Sequence, residues 1–329
     1  MLPQEKPTRL IKANKHNING VLLLDKHYGV SSNKAIQIAK YIFSAAKCGH
    51  TGTLDPVATG LLPICFGEAT KFSFMLLSAD KTYEARMKLG FLSSTGDAEG
   101  EIHSSALINN EPNRHECEQT LQRFIGKNTQ IPPMYSALKH QGKPLYAYAR
   151  KGEIVERKAR DIVIHDIKIK SLAHNELHVI IRCSSGTYIR TLAEDIGKAL
   201  GCGGAYLTFL RRTAIGEFSL EQAHRLMDME TMNAETLKAC LLPIDSFLTA
   251  MPSVILDKTK ALHLIQGRIV SNPQQNGNAS EIGLIRLYSE TKQFLGLGEV
   301  TAEQTIVAKR LLSNDYLYRD LPQETSSQD

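Results

Sequence analysis

The segment Gly49-His50-Thr51-Gly52-Thr53-Leu54-Asp55-Pro56-Val57-Ala58-Thr59-Gly60 carries a single carboxylate, Asp55, among three glycines and three threonines. Glycine removes side-chain bulk, and Pro56 disfavours helix at the residue before it, so Asp55 sits in a loop that a large polar substrate can approach closely. An acid held this way is a candidate catalyst; the same residue elsewhere is a turn former or helix cap. A phosphate-binding P-loop is excluded because no Gly-Lys-Ser/Thr follows. His50 and Asp55 alone lack the further ligands a metal site needs.

A second group, Gly186-Thr187-Tyr188-Ile189-Arg190, places Tyr188 and Arg190 two residues apart where a strand gives way to a helix. A guanidinium within a few ångströms of an acid lowers its pKa by about 1–3 units, so Arg190 can hold a carboxylate ionised; the alternative is a surface salt bridge. Tyr83 is either a core or edge aromatic or a platform for a base. Arg211-Arg212 either touches phosphates or faces water.

The elements that must position these groups follow from periodicity. Gly20–Asp25 reads as a short buried strand, and Ser31 or Ser32 caps a helix whose Ala35, Ile38, Ala39, Ile42, Phe43 and Ala46 share one face. Strands are expected over 61–66, 82–90, 161–169 and 176–183, and helices over 68–77, 115–125 and 187–200. Ile131-Pro132-Pro133-Met134-Tyr135 must be extended, because successive prolines exclude helix. Strands and helices interleave without a regular βαβ repeat, which predicts an α+β fold with a mixed, largely antiparallel sheet. After Leu242-Pro243, short alternating runs separated by Gly, Asn and Ser predict a small β-rich module.

The chain has 329 residues, 42% hydrophobic and 22% charged, enough for about two domains with real cores. Its formal charge is +5, and the charge is unevenly spread. Residues 1–50 hold eight Lys or Arg against Glu5 and Asp25, and residues 139–170 hold nine against Glu153, Glu156, Asp161 and Asp166. Such segments are solvated surface or a polyanion-binding face. Cys48, Cys65, Cys117, Cys183, Cys202 and Cys240 form no C-x-x-C pair, which fits reduced thiols in a cytoplasmic protein. No signal-peptide pattern or run of eighteen apolar residues points to a membrane.

Taken in order, Asp25-Lys26 with Gly29-Val30-Ser31-Ser32, the loop from Gly49 to Gly60, Ala79-Asp80-Lys81-Thr82-Tyr83, Pro132 to Lys139, Gly186 to Arg190 and Leu210-Arg211-Arg212 resemble the TruB family of tRNA pseudouridine synthases. The resemblance runs from about residue 19 to 310. It implies a pseudouridine synthase core and a PUA-like RNA-binding domain, arranged as a flexible basic arm (1–18), catalytic domain (19–248), PUA-like domain (249–312) and C-terminal tail (313–329). It implies that Asp55 is the catalytic aspartate, Tyr83 the aromatic stacked on the target base and Arg190 the partner of Asp55. Tyr188 and Leu210 would be pocket residues, and His50 would enter the RNA loop as the base leaves. The implied substrate is uridine 55 in the tRNA T loop, contacted through T loop and T stem, with no cofactor, no metal and no obligatory protein partner; a monomer is expected. His27 stands where the family commonly has proline, and Ser93-Ser94-Thr95 replaces a more usual threonine and aspartate pattern. Neither departure is expected to touch the pocket.

Two other classes fit the bare residues. A pure RNA-binding or RNA-folding protein would share the basic segments and β-rich module, and a metal-dependent hydrolase would use His50 and Asp55.

Overall fold

A computed structural model describes residues 15–105, 111–273 and 282–317. The first half supplies β1 (Gly20–Lys26), α1 (Ser32–Ile42), β2 (Cys48–His50), β3 (Thr59–Phe66), α2 (Phe74–Ser78), β4 (Lys81–Leu89), β5 (Phe91–Ser93), β6 (Ile102–Ser104), α3 (Arg114–Gln122) and β7 (Gly126–Gln130). A β8–β9 hairpin (Lys139–His140, Lys143–Pro144), α4 (Leu145–Ala149), β10 (Arg160–Ala173), β11 (Glu176–Cys183), α5 (Ile189–Ala199), β12 (Ala205–Ile215) and β13 (Phe218–Ser219) follow. After α6 (Leu226–Met229), α7 (Ala234–Ala239) and β14 (Leu241–Leu242), the last part holds β15 (Ser253–Leu256), α8 (Lys258–Ile265), β16 (Val270–Ser271), β17 (Gly283–Ser289), β18 (Phe294–Val300), β19 (Thr305–Leu311) and α9 (Asn314–Leu317).

Ten strands form one sheet ordered β14-β1-β3-β12-β4-β11-β10-β7, with β2 on β3 and β13 on β12. Its pairings are antiparallel except for β3 with β12, which meet only at Thr59↔Arg211 and Gly60↔Arg212. The mixed, largely antiparallel sheet expected from sequence is therefore present. A second, five-stranded sheet, β15-β17-β18-β19-β16, forms the β-rich C-terminal part.

The two faces of the large sheet build two cores. Alternation along β1 sends Leu22 and Leu24 to one side, where Ala35 and Ala39 of α1 and Leu192 and Ile196 of α5 pack. Val21 and Leu23 go to the other side and join Leu61, Cys65 and Phe72 in a cluster that continues into Leu256, Leu287, Phe294 and Leu297 of the C-terminal sheet. Phe72 meets Phe294 with ring centroids 5.5 Å apart. Each fully buried side chain of this kind contributes about 1.5–3 kcal/mol, so the C-terminal sheet is fastened to the back of the large one by shared core. Polar contacts add to it: Ser313 N donates to Glu68, and Lys71 Nζ donates to the Leu311 carbonyl at 3.1 Å.

Local signals explain several elements. Ser31 caps α1 by accepting from Lys34 N, as its spacing predicts. The helix expected over 68–77 is instead a 3-10 turn, Gly67–Phe72, followed by the short α2. Thr70 Oγ1 donates to the Gly67 carbonyl and Ser73 Oγ to the Thr70 carbonyl, so side chains occupy acceptors near the break. The sequence gives no expectation for β12, the central strand. The flexible arm expected over 1–18 lies outside the described residues up to 14, and the tail expected over 313–329 from 318 on. His16 is already bridged to Ala45, however, with its N–H on the Ser44 carbonyl at 2.8 Å, and the tail's start forms α9, whose Leu317 is buried in the core.

Candidate active site

Before Thr59 the chain leaves the sheet as the Asp55 loop, while β12 runs back to Ala205, so the flank of β12 loses its β3 neighbour. That divergence opens a cleft on the flank of β12. Asp55, Asp97, Arg190, Phe209, Leu210 and Tyr28 are among the residues that line it. β12 carries bulges at Thr208 and Thr213, the first beside the cleft.

The loop is held by buried polar contacts. Ser32 Oγ accepts from Leu54 N and donates to the Leu54 carbonyl, both at 2.8 Å. Lys26 is fully buried, and its ammonium donates to the carbonyls of His27 (3.1 Å), Val30 (2.7 Å) and Pro56 (3.2 Å). Burial pushes the Lys26 ammonium down to about 8, with the nearby Asp55 charge opposing the shift. Gly60 has φ +101°, and a Cβ there would stand 2.2 Å from the Arg212 carbonyl oxygen, so only glycine lets β3 and β12 meet.

Arg190 lies in the first turn of α5, and its Nη2 sits 3.0 Å from Asp55 Oδ2. The same guanidinium donates to the carbonyls of Thr95 (2.8 Å) and Tyr135 (2.7 Å), and its Nε is 3.8 Å from Asp97 Oδ2. Arg190 is therefore a fixed fork rather than a surface partner. Burial pushes the Asp55 carboxyl above the ordinary aspartate value, and Arg190 pulls it back. The pair sets a permanent cation beside an acid that faces the cleft, which favours the ionised form against the effect of burial.

Arg212 and Arg211 correct the expectation that this pair touches phosphates or water. Arg212 is 1% exposed and donates to the carbonyls of Leu61 (2.8 Å) and Gly52 (3.2 Å). Arg211 pairs with Asp25 at 2.7 Å on the opposite face of β12. The departure at Ser93-Ser94-Thr95 also reaches the site, contrary to expectation, since the Thr95 carbonyl holds Arg190 and the following Gly96 packs onto the Arg190 side chain.

The expected site residues divide in two. Asp55, Arg190 and Leu210 share the cleft wall. Tyr83 is a buried side chain of β4, opposite Arg212 in the sheet register. Burial raises the Tyr83 hydroxyl and Arg212 opposes that. His50 lies on β2; burial and then Arg212 lower its imidazole pKa, which favours the neutral ring, and its Nδ1 is buried without a hydrogen-bond partner. Tyr188 precedes α5, where Gln130 brackets its peptide, accepting from Tyr188 N (2.8 Å) and donating to Tyr188 O (3.1 Å).

Asp97, Gln130 and the pinning role of Lys26 are additions that the sequence did not single out. Gly96-Asp97 reads only as part of a polar turn. Asp97 is nonetheless 4% exposed and accepts from Thr95 Oγ1 and Glu99 N. Among the described residues, no helix is long and apolar enough to cross a membrane.

Residues 40–189 match the TruB family pseudouridylate synthase N-terminal domain, 190–249 the tRNA pseudouridylate synthase B C-terminal domain and 252–312 the pseudouridine synthase II TruB C-terminal domain. The chain is 55% identical to the tRNA pseudouridine synthase B of Nitrosospira multiformis, over 91% of its own length and 97% of that protein's. It is 52% identical to the same-named protein of Nitrosomonas europaea, over 88% and 95%. Among solved structures, a chain of a Cbf5-Nop10-Gar1 complex shares the fold with TM-score 0.66 at 24% identity, covering 90% of this chain and 86% of that one. A chain of an H/ACA RNP bound to a substrate RNA containing 2'-deoxyuridine is similar at TM-score 0.65 and 20% identity, over 89% and 85%.

Proposed function

The chain belongs to the TruB family and is a tRNA pseudouridine synthase, an isomerase, and from that premise we propose that it converts uridine 55 of the tRNA T loop to pseudouridine with Asp55 as its catalytic residue. The observation that carries the residue assignment is the 3.0 Å pair of Asp55 and the buried Arg190 in a cleft open to solvent.

The reaction breaks the bond between ribose C1′ and uracil N1, turns the ring and joins C5 to C1′. N1 gains a proton and C5 loses one, so the net change is zero. The substrate supplies every atom that moves, and the protein has to supply an ionised acid, a pocket and an everted base. Asp55 serves as that acid, whether it attacks C1′, adds to the ring or removes a ribose proton. Extruding a stacked base costs a few kcal/mol, and stacking on an aromatic returns about 1–3 kcal/mol. Leu210 bounds the pocket from the cleft wall. Tyr83, buried in β4, offers the aromatic face and Tyr188 closes the pocket only as the everted base displaces their present packing, and the neutral His50 fills the gap left in the RNA loop.

The basic residues of 139–170 hold phosphates of the T stem and loop, fixing register without reading sequence. In this reading the catalytic domain spans 19–248 and the PUA-like domain 249–312, and the TruB C-terminal family match over 252–312 supports a separate last module. The enzyme acts as a cytoplasmic monomer without an obligatory protein partner. Tritium release from tRNA labelled at uridine C5 tests the reading: wild type releases label while the mass of unlabelled tRNA stays constant. Absence of release from a tRNA that the protein binds would leave an RNA-binding protein instead.

A further inference from the structure

Tyr28 is the most exposed large aromatic of the described chain, 66% accessible, and it lines the cleft that holds Asp55. Tyr41 is as exposed, at 65%, but does not line the cleft, so what sets Tyr28 apart is a ring open to whatever enters beside Asp55. Its backbone is not free to adapt. Flanking residues are pinned by the buried Lys26 through the carbonyls of His27 and Val30, and Gly29 N donates to the Pro56 carbonyl at 2.9 Å. Gly29 has φ +80°, the left-handed turn geometry that sets the direction of the preceding residue. The contact to Pro56 and the contact of Lys26 to the same carbonyl tie the Tyr28 turn to the Asp55 loop. An exposed aromatic held on a rigid turn, one hydrogen bond from the loop of the acid, has the properties of a stacking platform for an unpaired base.

We propose that Tyr28 is a substrate-positioning residue that stacks on an unpaired base of the RNA loop beside the everted uridine. The inference rests on the tRNA-isomerising function above and adds a contact to it. Stacking on a base that does not react is the same in ground and transition states, so it acts on KM and leaves kcat unchanged.

Tyr28→Ala raises KM for tRNA about 5- to 150-fold, the equivalent of about 1–3 kcal/mol of stacking, with kcat within about twofold. Tyr28→Phe keeps the ring and restores KM, which a lost hydroxyl contact would not allow. The chain contains no tryptophan, so Tyr28→Trp introduces a single indole at the cleft. Its emission is quenched by tRNA in proportion to occupancy if a base stacks on it. Unchanged KM in Tyr28→Ala, or unchanged emission of Tyr28→Trp at tRNA concentrations that saturate binding by filter retention, overturns the proposal. Failure of wild type to release tritium would instead overturn the isomerase reading, so the two failures are separable.

Discussion

Arg190 Nη2 lies 3.0 Å from Asp55 Oδ2, yet the guanidinium side chain is 6% exposed while that of the aspartate is 38% exposed. The cation is built into the protein and the acid faces the cleft. Arg190 keeps the Thr95 and Tyr135 carbonyls and the Asp97 carboxylate whether or not Asp55 is charged. The roles are therefore unequal: one group is positioned for substrate, and the other braces it.

Asp55→Asn should lower tritium release by at least about 1,000-fold while tRNA affinity stays within about threefold. Burial raises the Asp55 carboxyl pKa in the folded state, so its favourable contribution exists below the unfolded value and is lost as pH rises through the folded one. At neutral pH the charge is thus no net support for folding, and the melting temperature of the variant should stay within about 4 °C of wild type. Wild-type turnover by this variant would remove Asp55 from the chemistry.

Arg190→Lys keeps a charge but loses the planar fork that reaches Asp55 and two carbonyls at once. Turnover should fall about 100-fold with a much smaller change in tRNA affinity, and stability should drop by about 1.5–3 kcal/mol for the lost charge-assisted bond. Single-turnover rates with filter-binding titrations separate the two; equal loss in both would count against a bracing role.

The acidic limb of kcat/KM should lie above the ordinary aspartate value of 3.8, since burial raises Asp55 and activity needs its ionised form. Arg190 lowers that pKa, so in the residual activity of Arg190→Met the limb should move to still higher pH. A limb that stays in place would show that another group titrates.

Gly60→Ala should destabilise the protein by about 3 kcal/mol or more, because the residue has φ +101° and its Cβ would overlap the Arg212 backbone at 2.2 Å. Thermal melting should register a fall of roughly 6–12 °C. An unchanged melting temperature would mean that the β3–β12 junction is not tight.

Lys139→Ala and Arg212→Met should separate a phosphate contact from a structural cation. Lys139 is exposed, so its loss should reduce the slope of log affinity against log salt by about 1. Arg212 is buried against two carbonyls, so its loss should leave the salt slope unchanged and cost about 1–3 kcal/mol of stability. Affinity across a salt series together with chemical denaturation distinguishes the outcomes.

The sequence by itself determined the features that neighbouring residues control. β1 is legible from its apolar run, α1 from Ser31 and its three-or-four spacing, and β10 with β11 from alternation, because each is decided within a few residues. The Asp55 loop is legible in the same way, from its glycines and Pro56. Tertiary structure alone decided β12 and what it organises. Two bulges interrupt its alternation, Arg211-Arg212 imitates a surface pair, and its partners Tyr83 and Thr59 lie more than a hundred residues away. Burial of Arg212, the turn that brings Thr95 and Asp97 to Arg190, and the shared core that fastens the C-terminal sheet likewise depend on contacts across the chain. Such contacts form only when distant segments exclude water together, and no local pattern records them.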